Sequence, residues 1–169
     1  MSDEYEHLDL IRMPHDYDCG AFNCGISSVN EALRGELLDA IREGRTRAYY
    51  LEHYGKCIGF FALRAESFDL TDSIDRDRAV HPLSRSRVPG VLLELIGVDE
   101  SVQKHGVGKR LVLTAVGFAQ EVAQLVGARF LVLESLPGAV GFYQNLSFKR
   151  TLTQTSKNTT FMILDLLEL

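Results

Sequence analysis

The stretch from residue 91 to residue 127 constrains the fold more than any other part of the chain. Residues 91–98 (VLLELIGV) are a near-continuous apolar run, the pattern of a strand buried in the centre of a sheet. Residues 106–126 then carry Leu111, Ala115, Phe118, Ala119, Val122 and Val126 on one stripe at helical spacing, and Gly127 follows as a stop. A buried strand feeding a long amphipathic helix through a short turn predicts an α/β domain.

The flanking elements fit that frame. Residues 8–13 read as a short strand. Ser27 or Ser28 is placed to cap a helix whose buried side carries Val29, Leu33, Leu37, Leu38 and Ile41, with Gly35 as a weak point that divides it and Gly44 as its stop. Residues 46–53 and 57–64 are rich in aromatic and β-branched side chains and form a hairpin about Tyr54-Gly55-Lys56. Residues 67–90 show turn residues and charge without a period, and read as one long loop. Beyond the long helix, residues 130–133 form a buried strand. Pro137 opens a short helix to about Asn145, and residues 148–152 and 160–167 close the sheet.

Composition narrows the class. The chain has 169 residues, 46% hydrophobic and 24% charged, which suits one soluble domain and excludes disordered, collagenous and coiled-coil proteins. No apolar run approaches the ~20 residues of a membrane span, and the acidic start MSDEYEHLDL lacks the features of a secretory signal. Cys19, Cys24 and Cys57 are odd in number and read as reduced thiols in a cytoplasm. The spacing of His15, Cys19 and Cys24 matches no zinc pattern. A net charge of -5 argues against a protein that coats nucleic acid.

The segment Gln103-Lys104-His105-Gly106-Val107-Gly108-Lys109-Arg110 is where the chemistry concentrates. Its glycines let backbone approach a ligand, and the first amides of the helix that follows have no internal partner. No acid falls between Ser101 and Arg110, and Lys104, Lys109 and Arg110 add positive charge. An anionic ligand, a phosphate or pyrophosphate, suits that site. The spacing is neither a Walker A loop nor a dinucleotide fingerprint.

Q-x-x-G-x-G after a strand reading L-I-G-V-D resembles the acetyl-CoA-binding signature of the GNAT acetyltransferase superfamily. The resemblance implies a GNAT fold in a single domain over residues 1–169: α/β (α+β), with a central mixed and mostly antiparallel twisted sheet flanked by helices. It implies acetyl-CoA as cosubstrate and no metal. The pyrophosphate would lie on Gln103, Lys104, His105, Gly106, Val107, Gly108 and Lys109, and the pantetheine arm along Ile96, Gly97 and Val98. The segment Ala139–Phe148 resembles the family's A-x-x-F-Y-x-x-x-G-F, with Ser147 at the usual glycine. That match implies Phe142 beside the cofactor and Tyr143 as the general acid that protonates the departing thiolate, a role a phenol can fill.

A third segment, Phe22 to Leu33, resembles F-x-C-G-x-x-x-L-[ND]-x-x-L of the GNAT toxins of bacterial toxin–antitoxin pairs, which acetylate the amino acid on charged tRNA. That likeness implies charged tRNA as acceptor, a ribbon–helix–helix antitoxin as partner, and a homodimer as a further assembly. Leu95 stands where those toxins carry an arginine. Basic residues gather at Arg42, Arg45 and Arg47, and at Arg76, Arg78, Arg85 and Arg87. A protein amine, a small-metabolite amine and a non-catalytic acyl-CoA-binding role remain the alternatives. For the base, Glu94 interrupts the apolar strand on the face of Ile96 and Val98. It is either a buried base with a raised pKa or the partner of an arginine. Glu134 on the neighbouring strand is a second candidate.

Overall fold

A computed structural model describes residues 3–69, 87–151 and 158–168. Seven strands run β1 (Leu10–Arg12), β2 (Arg47–His53), β3 (Lys56–Asp69), β4 (Arg87–Val98), β5 (Phe130–Ser135), β6 (Lys149–Arg150) and β7 (Thr160–Asp165). They form a sheet in the order β1-β2-β3-β4-β5-β7-β6. The pairs β1–β2, β2–β3, β5–β7 and β6–β7 are antiparallel, and β4–β5 is parallel. Four helices accompany them: α1 (Ser27–Arg34), α2 (Glu36–Arg42), α3 (Val107–Val126) and α4 (Val140–Gln144). No helix among the described residues is long and apolar enough to cross a membrane. Backbone packing divides the chain into two compact units, Met1–Arg64 with Glu94–Ala115, and Ala65–Leu93 with Val116–Leu169.

In the first unit both faces of the strands are covered. Phe22, Leu33, Leu37, Ala48, Tyr50, Phe60 and Ala62 form a buried cluster on one face, with Leu95 and Val29 packed against it. Gly97 is glycine because a Cβ there would lie 2.9 Å from the Phe60 ring and 3.2 Å from that of Phe22. On the other face Gly59 admits α3 closely, since its absent Cβ would meet Leu111 at 2.9 Å and Val107 at 3.3 Å. The β2–β3 hairpin closes through two left-handed residues, Tyr54 and Gly55, with His53 paired to Lys56, as a type I′ turn requires.

In the second unit Phe68, Val88, Phe130, Val132 and Ile163 form the core, with Leu92 and Phe161 against them. Arg129 closes its edge. Its Nε and one Nη lie 2.9 and 2.7 Å from the two Asp165 oxygens, and its guanidinium sits 5.4 Å from the Phe130 ring centre. Burial alone would raise the Asp165 pKa, but the Arg129 fork and the Leu167 amide outweigh it and hold the carboxyl below its usual range.

Several expectations need correction. The segment 67–90 is not one loop: β3 continues to Asp69 and β4 begins at Arg87. The extension is stabilised by burial of Phe68 and Val88 and by Arg87, which donates to the Ser67 hydroxyl and carbonyl, each at 3.0 Å. Arg76, Arg78 and Arg85 lie outside the described residues. The α1 cap is Ile26 and not a serine, because its carbonyl already receives the Asn30 amide at 3.0 Å. Gly35 does separate α1 from α2. The helix after Pro137 is a 3-10 turn, Pro137–Ala139, followed by α4, and the strand expected at 148–152 is limited to Lys149–Arg150 among the described residues.

The Arg129–Asp165 fork makes a prediction. A carboxyl whose folded pKa is depressed stabilises the fold above its unfolded pKa, about 3.9, and loses that contribution as pH falls through the folded value. Asp165→Asn is expected to cost about 1–3 kcal/mol near neutral pH and to flatten the loss of stability below about pH 4. Urea unfolding between pH 7 and pH 3 checks both.

Candidate functional site

In the first unit the turn between β4 and α3 is held from several sides. The Gln103 side-chain amide donates to the carbonyls of Cys24 (3.0 Å) and Val98 (2.9 Å). His105 Nδ1 is 2.9 Å from the Gln103 carbonyl, and its ring meets Tyr5 edge-on. Lys104 is left-handed, at φ 67, and Gly106 at φ 87 brings the chain into the helix. The first bond of the turn is Arg110 N to Gly106 O at 3.1 Å. The amides of Val107, Gly108 and Lys109 therefore have no acceptor among the described residues. No acid occupies the first turn. Lys104 and Lys109 are exposed.

Arg110 departs from expectation. Its guanidinium donates to the carbonyls of Tyr5 and Leu8, so it ties the N-terminal segment to α3 and does not face a ligand. Positive charge at the turn is left to the two lysines and to the partial charge of the helix end.

The segment from Phe22 to Leu33 has a structural logic. Asn30 Oδ1 accepts the Cys24 amide at 3.0 Å, and its Nδ2 donates to Asn23 Oδ1 at 2.7 Å. Arg34 donates to the carbonyls of Gly20, Phe22 and Asn30. Gly25 is left-handed, at φ 82. Asp99 accepts the Asn23 amide at 2.9 Å, and the Glu100 amide donates back to the Asn23 carbonyl. Burial would raise the Asp99 pKa, yet bonds from the Ser101 hydroxyl and from the amides of Asn23 and Ser101 bring it below its usual range. Asn23, Asn30 and Asp99 are thus positioning residues that the sequence did not single out, although Asn30 is the Asn/Asp of the quoted motif.

On β4, Ile96 and Val98 are half-buried and Gly97 is buried. The Val98 carbonyl is taken by Gln103. Glu94 Oε2 accepts from the buried Thr46 hydroxyl at 2.7 Å, and Oε1 lies 3.4 Å from an Arg64 Nη. The arginine that one reading of Glu94 required is therefore Arg64. A cavity of about 650 Å3 lies among residues 17–22, the β2–β3 hairpin and residues 99–102. Its walls include Asp18, Glu52 and Asp99, which favour a cationic occupant. Cys57 in that wall is pushed up to about 11 by burial, which keeps it a thiol at neutral pH. The three cysteines are free and buried.

In the second unit Tyr143 is buried on α4, with its ring edge-on to Phe142 and Phe148 at 5.1 and 5.7 Å. Phe142 itself is exposed. Burial pushes the Tyr143 phenol up to about 12, so it stays protonated through the physiological range. The turn after α4 returns the amides of Leu146 and Phe148 to the Tyr143 carbonyl. That return forces Ser147 to φ 70, which explains why the motif places glycine there. Glu134 is exposed and accepts from the Thr159 hydroxyl at 3.3 Å.

Comparison with known proteins gives a consistent result. The family model described as acetyltransferase (GNAT) family matches residues 14–148. A "tRNA-acetylating toxin" of Mycobacterium tuberculosis (strain ATCC 25618 / H37Rv) is 29% identical over 133 residues, 78% of each chain. Among solved structures, AtaT complexed with acetyl-methionyl-tRNAfMet is similar with a TM-score of 0.80 at 24% identity, covering 95% of this chain and 96% of that one. AtaTR bound with AcCoA gives a TM-score of 0.78 at 24% identity and 95% of both chains.

A left-handed serine costs about 1–2 kcal/mol, part of which glycine would return against its own chain entropy. Ser147→Gly is expected to raise stability by about 0.5–1 kcal/mol, seen as a higher thermal midpoint. A lower midpoint would show that the Ser147 side chain contributes more than its backbone strain costs.

Proposed function

We propose that this chain, which belongs to the acetyltransferase (GNAT) family, moves the acetyl group of acetyl-CoA onto the amine of an aminoacyl-tRNA. The observation that carries the reading is the head of α3, where the amides of Val107, Gly108 and Lys109 stand free in an acid-free turn. Such a turn offers three aligned donors and a helix dipole to a pyrophosphate. Lys104 and Lys109 supply the full charges. Gln103 keeps the turn in register with β4, and Ile96, Gly97 and Val98 offer the strand along which the pantetheine arm runs.

Acetyl-CoA supplies a thioester carbonyl, which the acceptor amine attacks. As the new C–N bond forms and the C–S bond breaks, Tyr143 gives its hydroxyl proton to the departing sulfur. A phenol near pKa 12 acts chiefly by hydrogen-bonding the developing thiolate, and it is fully charged with its proton for each turnover. The ammonium proton leaves to Glu94, directly or through water. The Thr46 hydroxyl and Arg64 fix the orientation of that carboxylate. The oxyanion is met by a strand amide, with Val98 the candidate.

The acceptor reading rests on the curated relative named a tRNA-acetylating toxin, aligned over 78% of both chains. A solved structure similar in fold holds acetyl-methionyl-tRNAfMet. The same relatives support action in the cytoplasm, a ribbon–helix–helix antitoxin as partner, and one GNAT domain over residues 1–169. Acetylation of a small cationic amine is the second reading, favoured by the carboxylates around the cavity near residues 17–22 and by the net charge of -5.

An acetylation panel of charged tRNA, polyamines and peptides separates the two. Charged tRNA is expected to be the preferred acceptor, and a preference for polyamines would select the second reading. Tyr143→Phe is expected to lower kcat about 10²–10⁴-fold with little change in the KM for acetyl-CoA. An unchanged kcat would remove Tyr143 from the mechanism.

A further inference from the structure

The basic residues Arg42, Arg45 and Arg47 look equivalent in sequence, and the structure separates them. Arg42 is paired with Asp39 at 2.8 Å and Arg45 with Glu43 at 2.5 Å. Arg47 makes no ion pair among the described residues; one Nη donates to the Thr46 carbonyl at 3.0 Å, which leaves its charge uncompensated. It lines a concave site of about 370 Å3 together with Arg12, Met13, Pro14, His15 and Ile41. Every titratable side chain in that lining is basic. Arg12 and His15 are exposed, and neither has an ion-pair or hydrogen-bond partner among the described residues.

The scaffold beneath these groups is fixed. Arg12 lies opposite Tyr49 in the β1–β2 ladder. Arg47 is two residues along β2 from Tyr49, so the two arginines are diagonal neighbours, roughly 7–8 Å apart at the backbone. Met13 is 2% exposed, and its amide donates to the Ala48 carbonyl at 2.8 Å. Ile41 belongs to the packed side of α2. The arginines are thus presented from a sheet edge anchored in the core, in a chain whose net charge of -5 otherwise repels polyanions. Two uncompensated guanidiniums at the rim of one concavity match the oxygens of a phosphodiester, which their planar forks can grip in a bidentate way.

We propose that this pocket seats a backbone phosphate of the acceptor RNA and so delivers its aminoacyl end to the transfer site. The proposal rests on the aminoacyl-tRNA reading above. The pocket acts on acceptor binding and not on the chemical step. Arg42 and Arg45, already neutralised by their neighbours, contribute little to it.

The test is steady-state acetylation of charged tRNA over a series of salt concentrations, with wild type, Arg12→Gln, Arg47→Gln and Arg42→Gln. A free aminoacyl ester that carries no RNA serves as the control acceptor. Arg12→Gln and Arg47→Gln are each expected to raise the KM for charged tRNA about tenfold, the worth of one charged hydrogen bond. Each should lower the salt slope by about one. Their kcat, their KM for acetyl-CoA, their thermal midpoint and their rate on the ester should stay at wild-type values, as should everything measured for Arg42→Gln. Arg12→Lys should recover the salt slope more fully than the KM. If wild type acetylates charged tRNA and Arg12→Gln and Arg47→Gln match it in KM and slope, the pocket is overturned and the acceptor reading stands. If wild type acetylates the ester and not charged tRNA, the acceptor reading fails and the pocket proposal fails with it.

Discussion

The amides of Val107, Gly108 and Lys109 find no acceptor among the described residues, and much of the first unit serves to hold them in place. A buried amide left without a partner costs about 1–3 kcal/mol, so such a turn must stay at the surface, where water or a ligand can satisfy it. The turn would collapse onto the nearest carbonyls unless those were already taken. The Gln103 side chain occupies the carbonyls of Val98 and Cys24, and Arg110 occupies those of Tyr5 and Leu8. Gly59 lets Val107 and Leu111 sit close against β3, which sets the height of the helix end above the strands.

The same logic extends through the loop before α1. Cys24 can offer its carbonyl to Gln103 because Asn30 holds its amide, and Asn23 is locked to Asp99 and Glu100 at the end of β4. Phe22 covers the space that Gly97 leaves empty. A motif that looks like a helix entry is therefore also a clamp on the strand beside the phosphate-binding turn. In the second unit the turn behind Tyr143 carries its own cost, a left-handed Ser147, in exchange for two amides returned to the tyrosine carbonyl.

Local pattern made much of this legible. The apolar run of β4, the stripe of α3, the Tyr54-Gly55 turn and the break at Gly35 each follow from periodicity or from a single residue's backbone preference. The ends of β3 and β4 did not, because Phe68 and Arg87 acquire strand partners only through pairing distant in sequence. Charges were the least legible. Arg110, Arg45 and Arg47 look alike in sequence, yet one binds carbonyls, one is neutralised and one lines a pocket with Arg12 and His15. The motif pointed to Tyr143. Burial of that residue, and with it a phenol that stays protonated, could be read only from the structure.

The account stands or falls on the head of α3 as the cradle of the pyrophosphate. Backbone amide NMR of the full chain, titrated with CoA, reads that directly. The amides of Val107, Gly108 and Lys109 should show the largest downfield shifts on binding, as donors to phosphate oxygens do. CoA binding that leaves those three resonances in place, with the main shifts elsewhere in the chain, would contradict it.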